Sequence, residues 1–476
     1  MNAGRLWRTV RHLRAVQATN RLTRRLTPAH PDLRPAPPVR SPQRQLVPLA
    51  PHPPCLTGPE TVTLLNEPGT VASSDDWTAA DRDRLWLYHL HYFDDLTATD
   101  AVARLAWQKA LLVRWMAEHP PGTAPGWEPY PVSRRLPNWI AWMLLHGDRD
   151  PALLDSLAVQ ARWLAKRIEH HLQGNHLIAN AKALLFAGWF FAGEEADGWR
   201  AAGDALLARE LDRQILDDGG HEERSPMYHA LVLEDALDVL NLLRSHEAPT
   251  PAWRDRIPAM LGWLGRLTHP DGGIALFNDA AHGIATAPAD LFAYAERLGF
   301  RPPPSPSAAE WLPTTGIARL ARGSAVLFAD GGPIGPDHQP GHAHADTLGF
   351  ELSLRGRRLL VDTGVSQYGA SAERLRQRGT AAHNTVAVDG ENSSEVWGGF
   401  RVGRRARIRE AGLQAPADGP PVFSALHDGY RHRGVLHRRT WTLGPTRLRI
   451  EDELTGRGTH ALALALHLAP GIEPVR

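Results

Sequence analysis

The periodicity of this chain changes once, and that change limits what it can fold into. From about Trp77 to Leu298, apolar residues recur at three- and four-residue spacing, as in AVARLAWQKALLVRWMAEH, LLDSLAVQARWLAKRIEHHL and HALVLEDALDVLNLLRSH, which is the period of buried helical faces. After the proline-rich RPPPSPS at 301–307 the period shortens in GIARLARGSAVLFAD, GFELSLRGRRLLVD, HNTVAVDG, RARIREAG, GVLHRRTWTLG and TRLRIEDEL, each bounded by Gly, Pro or Asp turns. Two layers of different type follow. About eight antiparallel helices over 77–300 form either a bundle or a helical toroid, with no strict repeat to choose between them. Strands without crossover helices over 315–476 form an antiparallel β-sandwich. The run HALALALHLAP closes a β-region that reads as small.

At 476 residues with 43% hydrophobic and 22% charged side chains, the chain has enough apolar mass for two or three cores. Its formal charge of +1 gives no whole-protein field for nucleic acid or an anionic membrane, so an acidic partner needs a local site. The single cysteine, Cys55, excludes an internal disulfide. Residues 1–76 read as a basic arm and a proline-rich connector. The first fifty residues hold ten Arg against one acidic residue, Asp32. The arm is either a contact for anionic lipid or polymer or, more plainly, a solvated Arg-rich helix. Residues 1–60 are expected to pack poorly. No secretory apolar run with its cleavage site is present, and no segment reaches the ~20 apolar residues of a membrane span.

With 24 His in the chain, their clustering matters more than their number. In DHQPGHAHADTLGF, His342 and His344 are two apart, a spacing that on a strand aims both imidazoles to one side. Asp362 closes the next strand and His383 opens the one after. These groups can form a closed Zn²⁺ shell of nitrogen and oxygen ligands; equally, they can be turn residues bonded to backbone. A second cluster lies in HLQGNHLIAN and GGHEERSPMYH. Asn175 and His176 start a helix, where an asparagine ordinarily caps, and Arg224 and Tyr228 stand four apart around Pro226. A tyrosine near a cation loses its hydroxyl proton more easily.

The blocks WLYHLHYFDDL, EPYPVSRRLPNWIAW, GNHLIANAKALLFAG, GGHEERSPMYH, GHAHADTLGFEL, LLVDTGVSQYG and RGTAAHNTVAVDG occur in the order in which they stand in the heparinase II/III family of polysaccharide lyases. From about residue 80 to 465 the chain resembles that family. The resemblance implies an incomplete α/α toroid followed by an antiparallel β-sandwich, with an anionic, uronate-containing polysaccharide in the cleft between them. It further implies β-elimination: the C5 proton is removed and the C4–O bond breaks. By position, Asn175 matches the group facing the C6 carboxylate, assisted by His176. Tyr228 matches the acid and, for one epimer, the base, and His342 the opposing base. His344, Asp362 and His383 match ligands of a structural zinc. Arg224 is an expected extra anion contact, while Glu223 and His229 read as supporting or packing residues.

Two departures stand beside the resemblance. The missing secretory signal points to the cytoplasm, whereas such lyases are often exported to the periplasm, and the β-region reads as shorter than the family's. Two other functions remain open: a catalytically quiet carbohydrate-binding or assembly protein of surface-polysaccharide metabolism, and a zinc-dependent glycan hydrolase.

Overall fold

The computed structural model describes residues 3–27 and 30–473. The arm forms α1 (Ala3–Val10) and α2 (Ala15–Leu26), and a small hairpin follows, β1 (Thr61–Leu64) with β2 (Glu67–Thr70). The helical domain then runs through α3 (Arg84–Leu90), α4 (Leu105–Glu118), α5 (Pro129–His146), α6 (Pro151–Ala165), α7 (Asn175–Phe190), α8 (Glu194–Gln214), α9 (Pro226–Ser245), α10 (Ile257–Arg266) and α11 (Pro288–Arg297). These helices form an incomplete α/α toroid. At its centre α7 packs on α5, α6, α8 and α9. Every residue of α7 except His176 and Trp189 is buried, which explains why LIANAKALLFAG has no polar stripe. Gly188 is required there: a Cβ would stand 2.5 Å from the backbone nitrogen of Arg200 on α8.

The β-domain opens with one antiparallel sheet ordered β3 (Ala309–Leu312), β4 (Ile317–Arg322), β5 (Ala325–Asp330), β6 (Phe350–Leu354) and β7 (Arg357–Leu360). Beyond it come α12 (Ala372–Gln377), β8 (Val386–Val388), and the short pair β9 (Val396–Trp397) and β10 (Arg401–Val402). A second sheet is ordered β11 (Ile408–Gln414), β12 (Val422–His427), β13 (Val435–Leu443) and β14 (Leu448–Gly456), and β15 (Leu462–Leu464) pairs with β8. Leu320, Leu327, Ala329, Phe350 and Leu352 of the first sheet meet Phe423, Ala425, Trp441 and Leu443 of the second in one core. The opposite face of the first sheet is also covered, because Val326 and Phe328 pack with Trp263, Leu267 and Phe277 of the helical domain. The unbroken apolar run AVLFA in β5 is the signature of a strand buried on both faces. This shared sheet locks the two domains side by side and brings the loop between β5 and β6 over the helix starts.

Residues 30–60 are not poorly packed. Ten of these residues are proline and offer no N–H, and several of the N–H groups the connector keeps donate to the toroid. Arg40 N donates to Phe190 O at 2.8 Å, Val47 N to Asn241 Oδ1 at 3.0 Å and Cys55 N to Asp95 Oδ1 at 2.9 Å, and Ala50 and Leu56 are buried. The arm spans both domains. On the β-domain, Arg5 and Arg8 each place Nε 3.0 Å from the Glu395 carboxylate; Gln17 Nε2 donates to His338 O, and Arg24 Nη1 to Arg167 O of the helical domain. Among the described residues no helix is long and apolar enough to cross a membrane.

His52 anchors the connector with its Nε2 2.5 Å from Glu234 Oε1 on α9. Burial opposes the imidazolium, but the Glu234 carboxylate outweighs it and pushes the His52 pKa up to about 9. A pKa raised on folding adds stability that is complete below the unfolded value of about 6.5 and is lost as pH rises through the folded value. Thermal unfolding should therefore show a drop in Tm between pH 7 and 9.5 that is smaller in His52→Gln.

Candidate active site

The site is built where the starts of α7 and α9 meet the loop between β5 and β6. Gly174 caps α7 with φ +60°, and a Cβ on it would lie 2.2 Å from Glu223 Oε1; only glycine leaves room for that carboxylate. Glu223 sits on the positive end of α7, accepting from Asn175 N at 3.0 Å and from Asn175 Nδ2 at 3.2 Å. Its other oxygen bonds Nδ1 of His342. Burial works against ionised Glu223, but the His342 imidazole, His221 and the Asn175 N–H hold its carboxyl well below the usual range. Glu223 is thus the hub joining Asn175 of the helical domain to His342 of the β-domain, a larger part than the supporting one its position in GGHEERSPMYH implied.

Ser225 caps α9 by accepting from Tyr228 N at 3.3 Å, and Pro226 occupies the first turn, so Tyr228 projects from a fixed helix start. Its ring stacks on His342 with centroids 3.9 Å apart and planes 11° from parallel. Burial raises the Tyr228 phenol well above its ordinary pKa, reinforced by Tyr368 and the Asp279 charge. His176 lies with Nδ1 3.1 Å from Glu169 Oε2 and its ring 4.4 Å from that of Tyr130. Burial lowers its pKa, yet Glu169 and Glu223 more than compensate, and the net shift is upward. The site therefore holds an imidazole beside a carboxylate that favours its charged form, an amide, a phenol and a carboxylate-backed imidazole. That set can neutralise an anion and move a proton on either side of it.

Two expectations need correction. Arg224 is no anion contact: it adopts a left-handed φ of +56°, and its Nε, Nη1 and Nη2 donate to Thr315 O, Glu222 O and Thr314 O at 2.9, 2.9 and 3.1 Å. Such a side chain braces the helical domain against the first strands of the sheet. His342 and His344, in turn, do not lie on a strand; both are in the loop before β6. The loop sends His342 to Glu223 and turns His344 away, its Nε2 2.7 Å from Asp279 Oδ1. His229 is packing, bonded to Met260 O and lying against Trp263.

His344, Asp362 and His383 converge, each offering a buried ligand atom, all within 4.8 Å of one another. His383 Nδ1 stands 2.8 Å from Asp362 Oδ2. Among the described residues, Nδ1 of His344 and Nε2 of His383 have no hydrogen-bond partner, and an orphaned buried polar atom ordinarily costs about 1–3 kcal/mol. Two unpartnered imidazole nitrogens beside a carboxylate form a donor set that fits a Zn²⁺ ion. Asp279 backing His344 supplies the outer carboxylate that orients a metal-bound imidazole. Sequence reasoning missed Asp279, which lies in the NDA turn before α11, far from any His-rich block, and it missed Tyr368.

Residues 113–296 match the family described as Heparinase II/III N-terminus, and residues 304–476 the one described as Heparinase II/III-like, C-terminal. The chain belongs to the heparinase II/III-like proteins. Among curated relatives, FtsZ-localized protein C of Caulobacter vibrioides is 28% identical over 395 residues, covering 80% of this chain and 66% of its own length. A heparin-sulfate lyase of Bacteroides stercoris is 27% identical over 300 residues, covering 57% of this chain and 44% of its own. This heparinase II/III-like chain thus spans less than two thirds of either relative. The crystal structure of heparinase III superposes with a TM-score of 0.69 at 19% identity, over 85% of this chain and 69% of that one, a likeness of fold.

Proposed function

We propose that this chain is a polysaccharide lyase that cleaves a uronate-containing anionic polymer by β-elimination. The observation that carries the reading is the 3.9 Å stack of Tyr228 on His342, which brings a phenol from the toroid and an imidazole from the β-domain together and supports their use as acid and base. His176, whose charged form Glu169 favours, and the second N–H of the Asn175 amide would face the C6 carboxylate and neutralise the charge that builds there as C5 loses its proton. Nε2 of His342 would take that proton, with Glu223 on Nδ1 fixing the tautomer and stabilising the imidazolium. The Tyr228 hydroxyl would protonate O4 as the C4–O bond breaks. A zinc ion held by His344, Asp362 and His383 would pin the loop before β6 to the strands behind it, without touching substrate.

The name heparin-sulfate lyase carried by a relative supports the polymer class. A test is a panel of uronate polymers assayed for the ultraviolet absorbance of C4=C5 unsaturated ends. Growth of that absorbance is the expected result; saturated new ends would instead indicate hydrolysis. A second reading rests on the relative named for its localisation with FtsZ, which covers more of this chain than the lyases do: an assembly protein that keeps the cleft and binds polymer without cleaving it. Binding to the same panel with no new ends would favour it.

A further inference from the structure

Tyr228 must hold a negative charge once it has given up its proton, yet it is buried among groups that disfavour that charge. The groups facing it are Asp279, Tyr130, His342 with Glu223 behind it, and Tyr368. One of them is a hydroxyl within hydrogen-bond reach: Tyr368 Oη lies 2.8 Å from Tyr228 Oη. Tyr368 comes from the loop between β7 and α12, 140 residues away in sequence. Its ring is held in place, with the Arg374 guanidinium 5.1 Å from the centroid and the Phe400 ring at 5.8 Å. Arg374 is itself fixed, donating from Nη2 to Asp279 Oδ2 at 2.7 Å and from Nε to Gly399 O at 3.1 Å. Asp279 in turn holds His344. A cation locked beside the second phenol, and a hydroxyl aimed at the first, is a larger provision than packing needs.

We propose that Tyr368 is a positioning and proton-sharing partner of Tyr228: it orients the Tyr228 hydroxyl toward the leaving oxygen and donates its own O–H to the Tyr228 phenolate formed when that oxygen leaves. The step balances. The C5–H electron pair forms the C4=C5 bond, the C5 proton goes to His342, and the C4–O4 pair stays on O4, which takes the Tyr228 proton. The resulting charge is shared over the two phenol oxygens, with the Tyr368 share beside Arg374, until the proton released from His342 returns through solvent. In the resting pair Tyr368 raises Tyr228 and Tyr228 lowers Tyr368; two coupled phenols lose their first proton as a pair, and once Tyr228 is the more acidic or the proton-donating member, the charge on it is stabilised by the O–H that Tyr368 donates. Tyr368 is itself raised well above the ordinary phenol range, by burial and by Asp279, with Tyr228 and Arg374 acting the other way.

This inference rests on the lyase reading for its role, but one arm of its test does not need turnover. A fluorinated tyrosine at 228, whose more acidic phenol ionises within the stable pH range, is followed by fluorine resonance in the full chain and in Tyr368→Phe, which keeps the ring. The expected result is ionisation at least ~1 pH unit higher without the Tyr368 hydroxyl. Ionisation at the same pH in both, or in neither, in proteins with unchanged thermal unfolding overturns the proposal. With a cleaved polymer in hand, Tyr368→Phe should lower kcat by about tenfold with KM within about threefold, and should have almost no further effect in the Tyr228→Phe background. Additive losses would mean that Tyr368 does not act through Tyr228. If no polymer is cleaved by the unaltered protein, the lyase reading fails while the fluorine titration still decides the pairing.

Discussion

Tyr228→Phe is expected to reduce the production of unsaturated ends at least ~100-fold while polymer binding stays within about threefold. The substitution keeps the ring that stacks on His342, and it leaves the Ser225 cap, which meets Tyr228 through its backbone N–H. On the lyase reading it removes the hydroxyl proton that would be delivered to O4. Without it the leaving oxygen departs as an alkoxide, and the barrier rises by the value of one general acid, roughly 3 kcal/mol for a hundredfold. The measurement is kcat and KM on the best polymer of the panel, with binding followed separately. Retained full activity would remove Tyr228 from the mechanism, and a large rise in KM at constant kcat would make it a binding residue only.

His383→Ala should give the largest loss of stability. Metal analysis of the unaltered protein is expected to find about one zinc per chain, and of the variant, none. His383 is fully buried and bonded to Asp362, so its removal costs the metal and also strands a buried carboxylate. Breaking a buried pair from one side costs about 3–5 kcal/mol. At ~2–4 °C per kcal/mol for domains of this size, Tm should fall by roughly 10 °C. Chelation should lower the Tm of the unaltered protein and leave the variant unmoved. A variant that keeps its zinc and its Tm would show that these three residues do not hold the ion.

The two predictions draw on different kinds of information. Tyr228, His342 and the cluster of His344, Asp362 and His383 stand in blocks whose order could be read along the chain, and so could the division at 301–307, because periodicity is a local property. β13 shows it plainly: VLHRRTWTL alternates buried and half-buried residues along its whole length. The connector misled because its proline content reads as loose chain, although proline says only that donors are few, not that the remaining ones are unmet.

What the sequence alone determined, then, was the division into a helical and a strand region, the type of the main elements in each, and which short segments carry ionisable side chains. Tertiary structure decided which of those side chains meet. Glu223 joins His342 across 119 residues and Tyr368 joins Tyr228 across 140, while Arg224, from the same GGHEERSP segment as Glu223, is spent on the carbonyls of Thr314 and Thr315. A buried polar group must find a partner wherever the fold supplies one. The partner is set by how the doubly covered sheet docks the loop before β6 onto the starts of α7 and α9, and no local spacing carries that information.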